Sequence, residues 1–254
     1  MKKFKRLMLS LLSALAITLT MTSCLSNKLS LKDGYFTYDY DKNGGIVLGG
    51  LTEEGMQQET LVFPSMINGI KVIGIGIEKS TFGGKVRVHY FESEKLKTIY
   101  FPNGYTKIGT YNSFYEKLPN VESIYWLYEF GDDFLDFHQA FLPNNMILAK
   151  KQQLGDDFDD YYPNYHSANV AYYMNDGTDD IYLVDHVSGT KVNVKPSTPY
   201  REGYTFRAWY KDKELTTLWD FENDIIPEIK LDEDGNEIIE ETKIYAGWAL
   251  KNEK

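Results

Sequence analysis

The side chains able to do chemistry are few in this chain, and they are scattered. There is one cysteine, Cys24, and there are four histidines, His89, His138, His166 and His186. None of the histidines belongs to a His-Glu-x-x-His helix. No Gly-x-Ser-x-Gly elbow and no phosphate-cradling Gly-Lys-Ser/Thr loop occurs, and Gly74-Ile75-Gly76 is too short for a dinucleotide fingerprint. A lone cysteine excludes an intrachain disulfide and a cysteine-rich zinc site. Carboxylates are plentiful. Asp132, Asp133 and Asp136 form one cluster, and Asp156, Asp157, Asp159 and Asp160 another. Hard oxygen ligands suit calcium, but neither cluster has the spacing of a known loop. In Asp232-Glu233-Asp234-Gly235-Asn236 the residues Asp232, Asp234 and Asn236 imitate part of an EF-hand, with the glycine too early. Solvated acidic loops are the plain reading, and weak calcium binding at no more than one cluster is the chemical alternative. We expect no catalysis and no cofactor.

The setting of Cys24 is more telling than its thiol. Lys2, Lys3, Lys5 and Arg6 make a basic start, and the run from Leu7 to Ser23 carries no charge. That run falls short of the roughly 20 residues a membrane span needs, but it suits the core of an export signal. Met21-Thr22-Ser23-Cys24 resembles a bacterial lipobox. The resemblance implies cleavage before Cys24, a lipid on its thiol and a protein held on a membrane face outside the cytoplasm. Two or three acyl chains anchor stably, at about 0.8 kcal/mol per buried methylene. Cleavage there leaves the body 24–254, and the loss of four positive charges takes the formal charge from −10 to −14. Such a balance disfavours nucleic acid and anionic lipid surfaces as partners, because both attract basic faces.

The elements that would position contact residues read as β-rich. Residues 24–33 are a short polar tether. Residues 34–50 predict a hairpin turning at Asp41 to Gly45, where glycine reaches positive φ freely. A repeating pattern then begins. Leu61-Val62-Phe63-Pro64 precedes Ile70 to Gly74, and Leu96 to Phe101-Pro102 precedes Thr106-Lys107-Ile108-Gly109. A third partial copy runs from Leu118 to Tyr125. Leu96 recurs at Val121 and Ile99 at Ile124 with one and the same spacing, which lies within the roughly 20–29 residues of a leucine-rich repeat. Pro64 and Pro102 stand further apart, so the first unit carries extra residues around Gly83 to Glu94. Short strands at such a period cannot bury their apolar residues alone and must stack. The pattern resembles BspA-like leucine-rich repeats, with the closing aromatics Phe82 and Phe114. It lacks the family's alanine before each of them and its long array. The resemblance implies a short β solenoid over 34–168, closed by a polar end near Asp160 to Tyr165.

From Asn169 the composition changes, and three of the four tryptophans (Trp209, Trp219, Trp248) lie beyond it. Val170 to Met174 and Lys191 to Val194 predict strands. Pro199-Tyr200-Arg201-Glu202-Gly203-Tyr204-Thr205-Phe206, with Trp209-Tyr210 after it, precedes Trp219-Asp220-Phe221 and Tyr245-Ala246-Gly247-Trp248. This order is similar to the internalin-type B repeat, also called the Listeria–Bacteroides repeat. The resemblance implies a small β-grasp-like α+β domain over 169–254, found on bacterial surface proteins. Residues 225–242 exceed the family's usual length, and Asp232 to Asn236 flanked by apolar residues predicts a protruding hairpin.

The fold class is therefore mostly β, with a signal at 1–23, the tether, the solenoid and the repeat. The function expected is non-enzymatic adhesion or protein binding outside the cytoplasm, with glycan binding or nutrient capture as the alternative; the partners expected are an extracellular protein or glycan and the membrane, reached through Cys24. Candidate contact residues are Tyr111, Tyr115, Tyr125, Trp126 and Tyr128 in the solenoid and Asp232, Asp234 and Asn236 in the hairpin. Large aromatics dominate interface energy when exposed, and fill the core when not.

Overall fold

The computed structural model describes residues 31–42, 44–81, 84–88, 90–108, 117–126, 149–150 and 166–251. The chain opens with an antiparallel meander of β1 (Leu31–Asp33), β2 (Phe36–Tyr40) and β3 (Ile46–Leu51). The expected hairpin is present. The Asp41 carbonyl accepts from the Gly44 amide and the Asp41 amide donates to the Gly45 carbonyl, both at 3.0 Å, with both glycines at positive φ.

Past a single 3-10 turn at Gly55–Gln57 the chain alternates between two sheets. Strand β4 (Thr60–Val62) lies in the second sheet, and β5 (Met66–Ile67) with β6 (Ile70–Ile75) returns to the first. A side hairpin follows, β7 (Ile77–Thr81) and β8 (Gly84–Val88). Next come β9 (Thr98–Phe101) in the second sheet, β10 (Lys107–Ile108) in the first and β11 (Ser123–Trp126) in the second. Strands β3, β6 and β10 pair in parallel, as do β4, β9 and β11. A coil that adds one strand to each sheet per turn is the stacking the sequence period predicts.

The registers carry that period directly. Ile99 lies opposite Ile124, one regular turn on, and Leu61 lies opposite Ile99 across the longer first turn. The longer turn holds the β7–β8 hairpin, which accounts for its extra residues. Leu61, Ile99 and Ile124 are buried in one column. Phe63 is the centre of an aromatic cluster, with ring centroids 5.0 Å from Phe36, 5.5 Å from Phe91 and 4.3 Å from Phe101. The repeat pattern does not mark Phe91. Pro102 ends β9 at once by lacking a donor. Before Pro64 the ladder runs one residue further, from the Phe63 amide to the Tyr100 carbonyl at 2.9 Å.

Strands β12 (Ala149–Lys150) and β13 (His166–Ser167) form a short parallel pair. The rest of the chain is a four-stranded sheet in the order β15-β14-β19-β16, made of β14 (Val170–Tyr173), β15 (Ile181–Asp185), β16 (Tyr204–Tyr210) and β19 (Thr242–Leu250). Between the last two lies the hairpin β17 (Lys230–Leu231) and β18 (Glu237–Ile238). Strands β14 and β19 are parallel.

Two local expectations need correction. The strand expected at Lys191 to Val194 is a loop, and β15 is the strand that fills the sheet; Asn193 is drawn out of extended pairing by its bonds to Asp185. A β-grasp likeness also implies a helix, but among the described residues of 166–251 there is no α-helix. Asp220 closes a single turn on itself, its carboxylate accepting from the Glu222 amide and the Asn223 side chain at 2.8 Å each. A side chain that satisfies nearby donors so locally competes with helix propagation.

The stacked strands and the C-terminal sheet share a core. Tyr100 of β9 packs with Tyr172, Tyr182, Leu183 and Trp209. Around them, the Asn103 amide donates to the Tyr182 carbonyl at 2.7 Å, Ser65 Oγ to the Thr198 carbonyl at 3.0 Å and Ser197 Oγ to the Phe63 carbonyl at 2.8 Å.

Candidate functional site

The hairpin at 226–241 is fixed to the sheet before it leaves it. Ile226 is fully buried in the core of the C-terminal sheet. Its amide donates to the Thr190 carbonyl at 2.8 Å, and the Ile229 amide donates to Ser188 Oγ at 2.9 Å. On the other arm Glu237 Oε1 lies 3.3 Å from His186 Nε2, and Lys230 Nζ lies 3.5 Å from Glu240 Oε1. The exposed lysine pair adds little, because solvent screens it.

The tip is organised by Asp232. Its Oδ1 accepts from the amides of Asp234 at 2.9 Å and Asn236 at 2.8 Å, and its Oδ2 from the Asn236 side chain at 3.2 Å. The Gly235 amide donates to the Asp232 carbonyl at 3.2 Å, and Gly235 sits at φ 88°, which a residue with Cβ adopts at a cost. Hydrogen bonds from Asn236 first, and from Asp234 and Gly235, hold the Asp232 carboxyl below the usual range. Asp232 and Asn236 therefore occupy one another, and the acidic groups left for a partner are Glu233 and Asp234.

The apolar flanks stay open. Leu231 is 61% exposed and Ile238 46%. In the register Leu231 lies opposite Glu237 and Lys230 opposite Ile238, so the two apolar side chains project from opposite faces. Ile238 borders a shallow cleft at the hairpin base with Pro227, Ile229 and Glu240. The arrangement is a stiff acidic tongue with one apolar residue on each side. It offers no EF-hand, because the Asp232 oxygens are taken by N–H donors. Among the described residues no three of His, Cys, Asp and Glu are placed to share an ion.

The solenoid candidates turn inward where they are described. Tyr125 stacks on Tyr100 with centroids 4.4 Å apart and planes 4° from parallel. Trp126 is half-buried against the stacked-strand core. Residues 1–23, where a signal is expected, Cys24, Phe82, Tyr111, Phe114, Tyr115 and Tyr128 lie outside the described residues, as do the acidic clusters at 132–136 and 156–160.

Asp185 is a group that sequence reasoning missed. It ends the apolar run Ile181-Tyr182-Leu183-Val184 and is completely buried. Tyr100, His186 and Asn193 all donate to it. Burial holds the neighbouring hydroxyls of Tyr100, Tyr125 and Tyr172 protonated, with the Asp185 charge adding to the effect. Nothing in the local sequence distinguishes this aspartate from a solvated one.

Residues 169–231 match the family model described as the Listeria-Bacteroides repeat domain. The match ends with the last residue of β17, Leu231, so the Asp232 turn and β18 lie beyond it. Two proteins of Evansella cellulosilytica are similar to parts of the chain. One bears the name "Putative membrane protein" and is 26% identical over 117 residues, 46% of this chain and 14% of its own length. The other, "Putative Gly-rich membrane protein", is 29% identical over 91 residues, 36% of this chain and 9% of its own length. The chain thus spans a small part of each relative. Among its own described residues no helix is long and apolar enough to cross a membrane.

Proposed function

We propose that this is a non-enzymatic binding protein of the bacterial cell surface, tethered by a lipid on Cys24, which presents the 226–241 hairpin to an extracellular protein. The observation that carries the reading is the exposure of Leu231 and Ile238 on a tongue whose tip and base are both pinned. Apolar side chains held in water on a stiff scaffold are ready to be covered, and a preorganised loop loses little entropy on binding. The names of the relatives support a membrane setting, and the Listeria-Bacteroides repeat match supports a surface one. A glycan partner is the weaker reading, since sugars favour an open aromatic platform and Tyr125 is committed to its stack with Tyr100. Asp185 fits a structural role, because donors from Tyr100, His186 and Asn193 occupy its oxygens.

The test has two arms. Metabolic labelling with a clickable fatty acid tags the intact chain, and Cys24→Ala abolishes the label and releases the protein from membranes. In a host-protein and glycan array, residues 25–254 bind a protein, and Leu231→Ser with Ile238→Ser weakens that binding at least about tenfold without changing the melting temperature. A glycan hit indifferent to the hairpin would sink the protein-binding reading.

A further inference from the structure

The joint between the stacked strands and the C-terminal sheet is built round a charge that no described side chain cancels. The Asp185 Oδ1 accepts from the Tyr100 hydroxyl at 3.1 Å, the His186 amide at 2.9 Å and the Asn193 side chain at 2.8 Å. Its Oδ2 accepts from the Asn193 amide at 3.0 Å. All of these donors are neutral. From β9, β11 and β14 the groups around it are tyrosines: Tyr100, Tyr125 stacked on it, and Tyr172, whose buried hydroxyl has no hydrogen-bond partner among the described residues. Strand β12, which also packs on β15, brings Lys150. The nearest ionisable group along the chain, the His186 imidazole, lies against Glu237. Among the residues whose side chains are described, no lysine or arginine pairs with Asp185.

We infer that this joint is proton-operated: mild acid places a proton on Asp185 and holds the C-terminal sheet more firmly on the stacked strands. A carboxylate removed from water without a cation is costly, and neutralising it relieves that cost. Burial raises the Asp185 carboxyl above its ordinary 3.8, and the bonds from Asn193, His186 and Tyr100 pull it back only in part. The proton comes from solvent and needs an acceptor beside the acid. Tyr100 alone among the donors carries its hydrogen on a rotor, so it can reverse from donor to acceptor while the N–H groups stay in place.

The direction follows from linkage. With its folded value raised, Asp185 binds a proton in the folded chain at a pH where the unfolded chain has released it. Stability therefore rises as pH falls from the folded value towards 3.8, by about tenfold in the folded-to-unfolded ratio for each unit crossed. Asp176, Asp212, Asp220 and Asp232 are held below 3.8. Their contributions are whole above 3.8 and are lost only below it. The two windows do not overlap, so these five carboxyls together favour a maximum in mild acid.

Between about pH 7 and about 4 the melting temperature of the full chain is expected to climb once the pH drops below the folded Asp185 value, and to fall below about 4. Protection of the Asn103 amide, which donates across the joint to Tyr182, is expected to climb with it. Asp185→Asn removes the rising limb, and His186→Gln, the control for the adjacent imidazole, retains it. A melting temperature that falls throughout the same range, or a rise that survives Asp185→Asn, overturns the inference. Should Asp185→Asn not fold, carboxyl-carbon NMR of the unsubstituted chain decides: an Asp185 midpoint above 3.8 upholds the inference, and one at or below 3.8 overturns it.

Discussion

Gly50 shows how far a single hydrogen atom can decide the packing of the coil. It bridges to Tyr90 as the chain passes back along β3. A Cβ built at Gly50 would lie 2.5 Å from the Tyr90 carbonyl oxygen and 2.9 Å from its carbon, both backbone atoms that no rotamer change can move aside. Glycine is needed here for close approach and not for an unusual φ. Gly50→Ala is therefore expected to destabilise the fold by about 1–3 kcal/mol, the usual cost of forcing backbone apart in a packed interior. Its measurement is the urea midpoint at unchanged m-value; a midpoint equal to that of the parent would mean that the Tyr90 segment yields freely. Gly69, with open space about its Cβ position, is the contrasting site. It sits at φ 78°, so any loss on Gly69→Ala comes from conformation and not from contact.

At the scale of elements, β9 is the strand on which the second sheet depends, because among the described residues it alone there has a parallel neighbour on both sides. Ile99 is fully buried between Leu61 and Ile124. Ile99→Ala is expected to cost about 2–5 kcal/mol, with the upper end holding if the column cannot collapse. Denaturant titration measures it; a loss under about 1 kcal/mol would show that the column is loosely packed. This ladder is legible in sequence because stacking demands the same apolar face at each turn, and the recurrence of Ile99 at Ile124 records that demand. The 230–238 hairpin is legible too, from Asp-Gly-Asn between apolar residues. Strand β15 is not. It is buried throughout, so it lacks the alternation that marks a half-exposed strand. Lys191 to Val194 does alternate, yet it is a loop, because Asn193 bonds a carboxylate that sequence cannot place. The same blindness covers the candidate site. That Asp232 spends its oxygens on Asn236, and that Tyr125 spends its ring on Tyr100 a turn earlier, depends on approaches that only the fold defines.

For the whole molecule the issue is whether the stacked strands and the C-terminal sheet unfold separately. Two domains meeting at a polar seam would part under mild stress, as inter-domain contacts generally allow. This seam has a different character. Val62, Tyr100 and Tyr125 of the stacked strands are packed into the same cluster as Tyr172, Tyr182 and Trp209. Tyr182 Oη lies 2.6 Å from Ser197 Oγ, which in turn donates to the Phe63 carbonyl, so buried polar groups on each side are satisfied by the other. Separating the sheets would leave those groups unpaired, and an orphaned buried polar group costs more than its hydrogen bond contributes. One cooperative transition is therefore expected, with amides of β3 and β14 opening at the same free energy in native-state hydrogen exchange. Tyr100→Phe keeps the ring stacked on Tyr125 but removes the hydroxyl that donates to Asp185. It is expected to lower both opening energies together by about 2 kcal/mol, the scale of a hydrogen bond to a charged group. If β14 loses protection while β3 keeps it, the C-terminal sheet is an appended module and the seam is only a contact. Equal loss would mean that the hairpin is mounted on a body stiff from β1 to β19, so force on the hairpin is borne by the stacked strands as well as by its own sheet.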